Sequence, residues 1–256
     1  MSPRRALAAA LAAAVALPAA AYILPVPAIL RRAAERRTAQ SLTSVEVNGT
    51  LQADGAAGAL LLAAGGLRGA GGLAALPARL LWKVPGRCRI ELLPAGAAEA
   101  DRPWLAVKEE SVTGTEALVR EPTLVALARG TCALLALPRD PEAQDRPMAA
   151  SLARRGVALA DATLGRFDGR ISYVIGGRAA DAKPLAWVDK ESFQPVRLMY
   201  TEASTAVDVG FLGWGSPTGG DWAPRAFEVH AGGALRLRFT TEKAAANPRL
   251  PELLFQ

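Results

Sequence analysis

The sequence predicts an α+β fold in which an N-terminal helix precedes one long antiparallel sheet that curls into an open barrel. Three observations predict it. Apolar and polar residues alternate in most segments after residue 44, turn residues separate those segments, and helical periodicity is limited to the start and middle of the 256-residue chain. A single sheet with few helices buries its apolar face only by curling around something. We therefore expect one or two helices, or a bound ligand, on the concave side.

The first residues have the three parts of a secretory signal. Arg4 and Arg5 form a basic start, an uncharged apolar run follows, and Ala19–Ala21 offer the small side chains that a signal peptidase requires. The sequence predicts a signal peptide over residues 1–21, cleavage before Tyr22, and export to the periplasm. Because the uncharged stretch is also long enough to span a bilayer, a retained inner-membrane anchor is the alternative.

The remaining residues, 22–256, show no composition break and no fixed repeat, so we expect a single half-barrel domain. Apolar residues on one face predict a helix over residues 27–44, and strict alternation predicts a strand over 45–52. The glycine- and alanine-rich stretch 55–76 is harder to interpret. We expect a strand around residues 59–62 followed by a loop, because repeated glycines disfavour a helix.

The middle of the chain contains two less regular segments. Residues 123–136 are apolar and fit either a helix or a pair of strands, whereas residues 147–159 are typical of a helix. On both sides of this region, alternating runs separated by turn residues such as Pro85-Gly86 predict strands. These predicted strands cover residues 79–84, 88–92, 105–107, 171–175, 185–188, 196–200, 207–211 and 235–239.

The chain has two cysteines, Cys88 and Cys132. In an exported protein such a pair favours a disulfide, which stabilises the fold by about 4 kcal/mol on the chain-entropy model for a loop of this size. Two separate buried thiols are the alternative, because both cysteines have apolar neighbours. No C-x-x-C pair is present, so a thiol oxidoreductase is not supported.

Composition argues against several classes of function. His230 is the one histidine, and together with two distant cysteines it is too little for a four-ligand zinc site. The sequence around Ser216 does not fit a nucleophile elbow, and Asp189 and Glu191 are placed as in a turn. The net charge of +6 is spread along the chain without the signatures of nucleic-acid binders. We therefore expect no enzyme activity, no metal or cofactor, and no nucleic-acid partner.

One hairpin carries a family resemblance. Trp187-Val188-Asp189, five further residues and Pro195-Val196-Arg197 resemble a hairpin of the periplasmic LolA-like family of outer-membrane lipoprotein carriers. The strand Leu81–Pro85, which ends at a proline, and the closing segment Asn247–Phe255 are similar to the same family. Its members often have an arginine directly before that proline, where it helps to hold a helical lid closed, whereas this chain has Val84.

The resemblance implies a half-barrel with helices at its mouth and a hydrophobic cavity that shelters acyl chains in transit between membranes. Lipid or lipoprotein acyl chains would be its ligands, and contact with membranes would be transient. The same half-barrel occurs in envelope regulators similar to RseB, so a module that docks an envelope protein is the alternative function. Apolar and aromatic strand residues are the candidates for the cavity lining: Trp82, Ile90, Ile171, Tyr173, Trp187, Leu198 and Tyr200.

Overall fold

The computed structural model describes residues 23–66, 74–135 and 145–256, so the predicted signal segment lies outside the described residues. None of the described helices is long and apolar enough to cross a membrane. The helices are α1 (Val26–Thr38), α2 (Gly55–Ala64), α3 (Glu116–Val119), α4 (Pro122–Leu135) and α5 (Asp145–Arg154), with short 3-10 turns at Glu99–Asp101 and Glu252–Phe255.

Twelve strands of the described residues form one antiparallel sheet with the order β5-β4-β3-β2-β1-β12-β11-β10-β9-β8-β7-β6. Neighbours in the sheet are neighbours in the chain, except that β1 pairs with β12. Within the described part of the chain, β5 and β6 each pair with one strand, so the predicted open sheet is confirmed. The strands are β1 (Ser44–Ala53), β2 (Ala74–Lys83), β3 (Arg87–Leu92), β4 (Trp104–Lys108), β5 (Ser111–Gly114), β6 (Ala162–Phe167), β7 (Arg170–Ile175), β8 (Leu185–Asp189), β9 (Pro195–Glu202), β10 (Thr205–Leu212), β11 (Ala226–Ala231) and β12 (Ala234–Ala246).

The sheet is strongly curved. Helix α4 packs against β3 and β4 and also against β9 to β12. Six strands separate β4 from β9 in the sheet order, which is roughly 30 Å in a flat sheet. Because one helix touches both, the sheet must wrap around it, as the predicted half-barrel requires. We call the face that the helices cover the inner face, and the opposite one the outer face.

Alternating side chains of the strands build the core on the inner face. In β1, Val45, Val47 and Leu51 are buried while the intervening polar side chains are half-buried. In α1, Ile29 and Ala33 are buried in the same cluster, and the arginines at positions 31 and 32 are exposed, as predicted. The helix and strand patterns therefore direct their apolar sides to one common core.

The prediction for residues 59–62 was wrong, because this stretch belongs to helix α2 and not to a strand. Alanine and leucine are the best helix formers and fill most of α2. The glycine pair at residues 65 and 66 lies just after the helix, where Gly66 adopts a positive φ of 70°. The glycines therefore end this helix, as glycines often do. Residues 67–73 of the same stretch are outside the described residues.

Strand β6 was not predicted. Gly165 interrupts its alternation, and most of its residues are half-buried. A Cβ atom at position 165 would lie 2.7 Å from the indole ring of Trp187. The glycine is thus required by a close approach of two strands, which local periodicity does not reveal. Residues 123–135 of the ambiguous segment lie in helix α4 (Pro122–Leu135), so the helix is the alternative that the structure has.

The turn of the β8–β9 hairpin is organised by Asp189. Its Oδ1 accepts hydrogen bonds from the backbone N–H groups of Glu191 and Ser192 and from the Ser192 hydroxyl, at 2.7–3.2 Å. Its other oxygen pairs with Arg170 at 3.0 Å. Asp189 and Glu191 therefore have the turn role that the sequence suggested.

The outer face of β2 to β4 contains a buried carboxylate. Glu91, whose side chain is 2% exposed, forms ion pairs with Arg89 at 2.6 Å and with Arg79 at 2.5 Å. The guanidinium of Arg89 also lies 4.1 Å from the ring centroid of Trp104. This network joins three adjacent strands on the face opposite the helices.

Candidate functional site

The inner face contains most of the residues predicted to line a cavity. Five of the seven predicted residues are buried in the main core cluster, on the side of the sheet that the helices cover: Trp82, Ile90, Tyr173, Leu198 and Tyr200. The structure therefore brings five of the seven candidates into one apolar surface.

The other two candidates lie elsewhere. Ile171, near the start of β7, is 47% exposed. Trp187 belongs to a separate cluster with Val174 on the outer face, because its neighbours Ala186 and Val188 take the inward positions of β8. Sequence alternation gives the two faces of a strand but does not say which one is inward.

Trp187 stabilises the outer face. The guanidinium of Arg197 lies 5.3 Å from its ring centroid and 5.2 Å from that of Phe167. Arg197 in turn donates two hydrogen bonds, of 2.6 and 2.8 Å, to the carboxylate of Asp208. Trp187 is thus part of an aromatic and ionic cluster that is separated from the inner face by the sheet.

The inner face is occupied by α4. Twelve of the fourteen residues of this helix are buried, and a helix that is apolar on nearly all sides belongs in an interior. It packs against strands from both halves of the sheet. The space in which we expected helices or a ligand therefore holds a helix of the chain itself.

Gly130 allows α4 to approach β10 closely. A Cβ atom at this position would lie 3.0–3.2 Å from three side-chain atoms of Val209. Such distances are shorter than ordinary van der Waals contacts, so a larger residue pushes the helix away from the sheet.

We expect Gly130→Leu to lower the free energy of unfolding by about 1–3 kcal/mol through overpacking, although leucine is the better helix former. Urea denaturation measures this change. Ala59→Leu on the exposed side of α2 is the matched control and should be close to neutral. Equal stability of both variants would show that α4 does not depend on this contact.

A disulfide fastens α4 to the sheet. Cys88 on β3 and Cys132 near the end of α4 are joined, with their Cα atoms 5.6 Å apart. Both residues are buried. Of the two alternatives, a disulfide or two separate buried thiols, the structure has the disulfide. It holds the last turn of α4 against the inner face.

A hydrogen bond from Arg37 holds the same end of α4. It is buried at the end of α1, where its Nη2 donates to the carbonyl oxygen of Leu135 at 3.0 Å and its Nη1 to that of Trp222 at 2.8 Å. Desolvation lowers the pKa of Arg37 to about 10, so the side chain is still charged at neutral pH. A charged donor at the C-terminal end of α4 also suits the helix dipole.

Five charged residues meet around Arg129 of α4, and we call them the mouth cluster. Arg129 of α4 donates to Glu202 of β9 at 2.6 Å and to the backbone carbonyl of Glu110 at 2.9 Å. Glu110, in the β4–β5 turn, accepts from Arg154 at 2.8 Å and from Arg155 at 3.2 Å. Because β4 and β9 are far apart in the sheet order, these contacts bridge its two halves.

The charges of the mouth cluster change the pKa of Glu110. Burial acts to raise this pKa, but hydrogen bonds and the charges of Arg154 and Arg155 outweigh burial and hold it below its usual range. The ion pairs are therefore complete at neutral pH. They are lost only when the pH falls through this lowered pKa.

Tyr200 connects the mouth cluster with the inner face. Its hydroxyl donates to the carbonyl oxygen of Ala126 in α4 at 3.2 Å, and the guanidinium of Arg155 lies 5.6 Å from its ring centroid. Burial and the nearby charge of Glu202 raise the pKa of Tyr200, so it stays a neutral donor. The apolar surface and the charged mouth thus share one residue.

No protein-family profile and no curated protein matches the chain. Solved structures do match it. A LolA superfamily protein from Nitrosomonas europaea is 14% identical over 91% of this chain and 98% of its own, with a TM-score of 0.49. A DUF1329 family protein from Desulfovibrio piger is 12% identical over 91% and 98%, with a TM-score of 0.42. The structure of MucB in complex with MucA(peri) is 13% identical over 89% of this chain and 58% of that one, with a TM-score of 0.29.

These likenesses concern the fold. Each is a structure to which this chain is similar, at 14% identity or less. The Trp187–Arg197 hairpin itself supplies the Asp189 turn and part of the outer-face cluster, while its Val188 and Phe193 contact the main core.

The structure gives neither Ser216 nor His230 the surroundings of a catalytic residue. The Ser216 hydroxyl accepts the backbone N–H of Gly219 within a turn, and His230 is a residue of β11. In the described residues, no group of three or more His, Cys, Asp or Glu side chains is placed to hold a metal ion. A groove of about 290 Å³ lies where the end of β1 meets the start of β12, and its lining includes Asp54 and Leu235.

Sequence reasoning missed the mouth cluster. Glu110 and Arg155 are 45 residues apart, and Arg129 and Glu202 are 73 apart. No motif or spacing joins them, because only the curvature of the sheet brings them together. The adjacent arginines 154 and 155 were the one local signal, and such pairs are common in this arginine-rich chain.

Proposed function

We propose that this chain is an exported, non-enzymatic carrier that shelters the acyl chains of a lipid or lipoprotein against its inner face. The observation that supports this most is an apolar inner face covered by a helix, α4, that is itself apolar on nearly all sides. An acyl chain offers the same kind of surface as α4 and can take its place. Each CH₂ group removed from water contributes about 0.8 kcal/mol to such binding.

The contacts of α4 suggest how the exchange proceeds. Its C-terminal end is fastened by the disulfide at Cys132 and by the bond from Arg37 to Leu135. Near its N-terminal end, the contact with the sheet is apolar apart from the Tyr200 hydroxyl on Ala126. We infer that the N-terminal half moves away first, while the C-terminal end stays in place.

The periplasm is the proposed compartment. A predicted signal segment and a disulfide in a chain with two cysteines both fit an oxidising space outside the cytoplasm. A carrier there would receive its lipid at one membrane and release it at another, with transient contact at both.

A fluorescent acyl probe tests the carrier function directly. We expect the folded chain to bind the probe saturably, and mass spectrometry of an organic extract to find lipid in the purified protein. Leu198→Trp should weaken binding because it fills the inner face, whereas Met199→Trp on the same strand, directed to the outer-face cluster, should not. Circular dichroism verifies that both variants are folded. A folded protein with neither probe binding nor extracted lipid would contradict the proposal.

Docking of an envelope protein is the second candidate function. It is favoured by one observation, the covalent attachment of α4, which keeps the inner face occupied by the chain itself. A half-barrel that never opens would bind partners through its outside. Recovery of one stoichiometric protein partner without bound lipid would support this function over transport.

A further inference from the structure

The mouth cluster contains two buried N–H donors that have no acceptor among the described residues, although Arg155 also donates to Ser151 and to the Arg129 carbonyl. Three guanidinium groups face two carboxylates, so the cluster carries an excess positive charge. The side chain of Arg155 is 4% exposed. Among the described residues, the Nε atoms of Arg129 and Arg155 are buried without an acceptor. A buried donor without an acceptor costs free energy, so an added acceptor at these two donors would stabilise the cluster.

The mouth cluster lies where an amphiphilic ligand would place its polar group, between the apolar inner face and solvent. Arg155 lies over the ring of Tyr200, which belongs to the apolar inner face. Toward solvent, the side chains of Glu110 and Arg154 are 39% and 49% exposed. A polar group bound here would therefore sit at the boundary between water and the apolar interior, as the head group of a lipid does.

We propose that the mouth cluster binds the acidic head group of an acyl-chain ligand, and that the carboxylate of Glu110 now occupies the place of that acid. Arginine binds carboxylates and phosphates through paired N–H donors. Arg155 already holds the Glu110 carboxylate through two such donors, at 3.2 and 3.4 Å, and Arg154 adds a single one at 2.8 Å. This inference rests on the proposed carrier function, which concerns the acyl chain of the ligand. It specifies in addition that the head group of the ligand is acidic. Both a fatty acid and a phosphate-bearing lipid present this chemistry.

Three probes of equal chain length separate the possibilities: a fatty acid, a single-chain phosphatidic acid and an uncharged fatty alcohol. We expect the chain to bind at least one of the acidic probes about tenfold or more tightly than the alcohol, as for charge-assisted hydrogen bonds. The acidic probe that binds more tightly identifies the carboxylate or the phosphate as the preferred head group.

Two variants of the cluster should act in opposite directions. Arg154→Gln should weaken binding of the preferred acidic probe several-fold and leave the alcohol unchanged. Glu110→Gln should strengthen acidic-probe binding, because it removes the competing carboxylate, and a purely structural role for Glu110 would not produce a gain. Arg120→Gln is the control, because Arg120 is 76% exposed and pairs with Glu116 in its own turn of helix.

The outcomes distinguish this inference from the carrier function. Equal affinity for acidic and uncharged probes, or an acidic preference that both Arg154→Gln and Glu110→Gln leave unchanged, would overturn the head-group site and leave the carrier in place. Binding of no probe by the folded chain would overturn both proposals.

Discussion

Reduction of the Cys88–Cys132 disulfide is expected to lower the free energy of unfolding by about 4 kcal/mol. The bridge spans 44 residues, and closing a loop of this size removes conformational entropy from the unfolded chain. Urea denaturation with and without a dithiol reductant measures the change. The double variant Cys88→Ala, Cys132→Ala should show the lower stability in both conditions.

The same reduction should speed the uptake of an acyl probe. The disulfide holds the C-terminal end of α4 on β3, so without it that end loses its covalent attachment and keeps the weaker hydrogen bond from Arg37 to Leu135. Stopped-flow fluorescence compares the oxidised protein, the reduced protein and the double alanine variant. If uptake is equally fast in all three, movement of α4 at Cys132 does not limit access, and opening occurs only at the N-terminal half of the helix.

Glu91→Ala should destabilise the fold by about 3–5 kcal/mol, because it leaves Arg79 and Arg89 without the buried carboxylate that neutralises them. Glu99→Ala is the matched control. Glu99 also pairs with Arg79, at 3.3 Å, but its side chain is 70% exposed. Its loss should cost less than about 1 kcal/mol, as for other surface ion pairs.

Urea denaturation of both Glu variants decides the comparison. A loss below 1 kcal/mol for Glu91→Ala would mean that the two arginines find other acceptors. The backbone carbonyl of Leu254, to which Arg89 already donates, is the nearest candidate. The head-group site lies on the other face of the sheet, so neither substitution should change probe selectivity.

Local patterns predicted much of the fold. The alternation in β1 and in the β8–β9 hairpin depends on side chains that are neighbours in the chain, and it gave the correct elements. The sequence pattern did not predict helix α2 or strand β6, and the two reasons are opposite. In α2, glycines beyond the helix end were counted against the helix, and in β6 a glycine required by Trp187 interrupted the pattern.

The candidate site was only partly predictable. Tyr200 and Leu198 follow the alternation of β9 and reach the inner face. Trp187 follows the alternation of β8 equally well, but it faces outward, since a period of two does not fix its direction. The mouth cluster depends on how the helices pack against the curved sheet, because Arg129 of α4 contacts both Glu110 and Glu202 and Arg155 follows α5. No local pattern in the sequence encodes those contacts.

The pairing of β1 with β12 has a consequence for biosynthesis. Each half of the sheet is a succession of hairpins that forms from nearby residues, whereas β1 has to wait for residues 237–246 before its second neighbour exists. Until those residues leave the ribosome, the backbone edge of β1 is free to pair with another molecule. Nascent chains that stall before β12 is complete should therefore depend most on chaperones. Strand β12, the last to be synthesised, joins the two halves of the sheet.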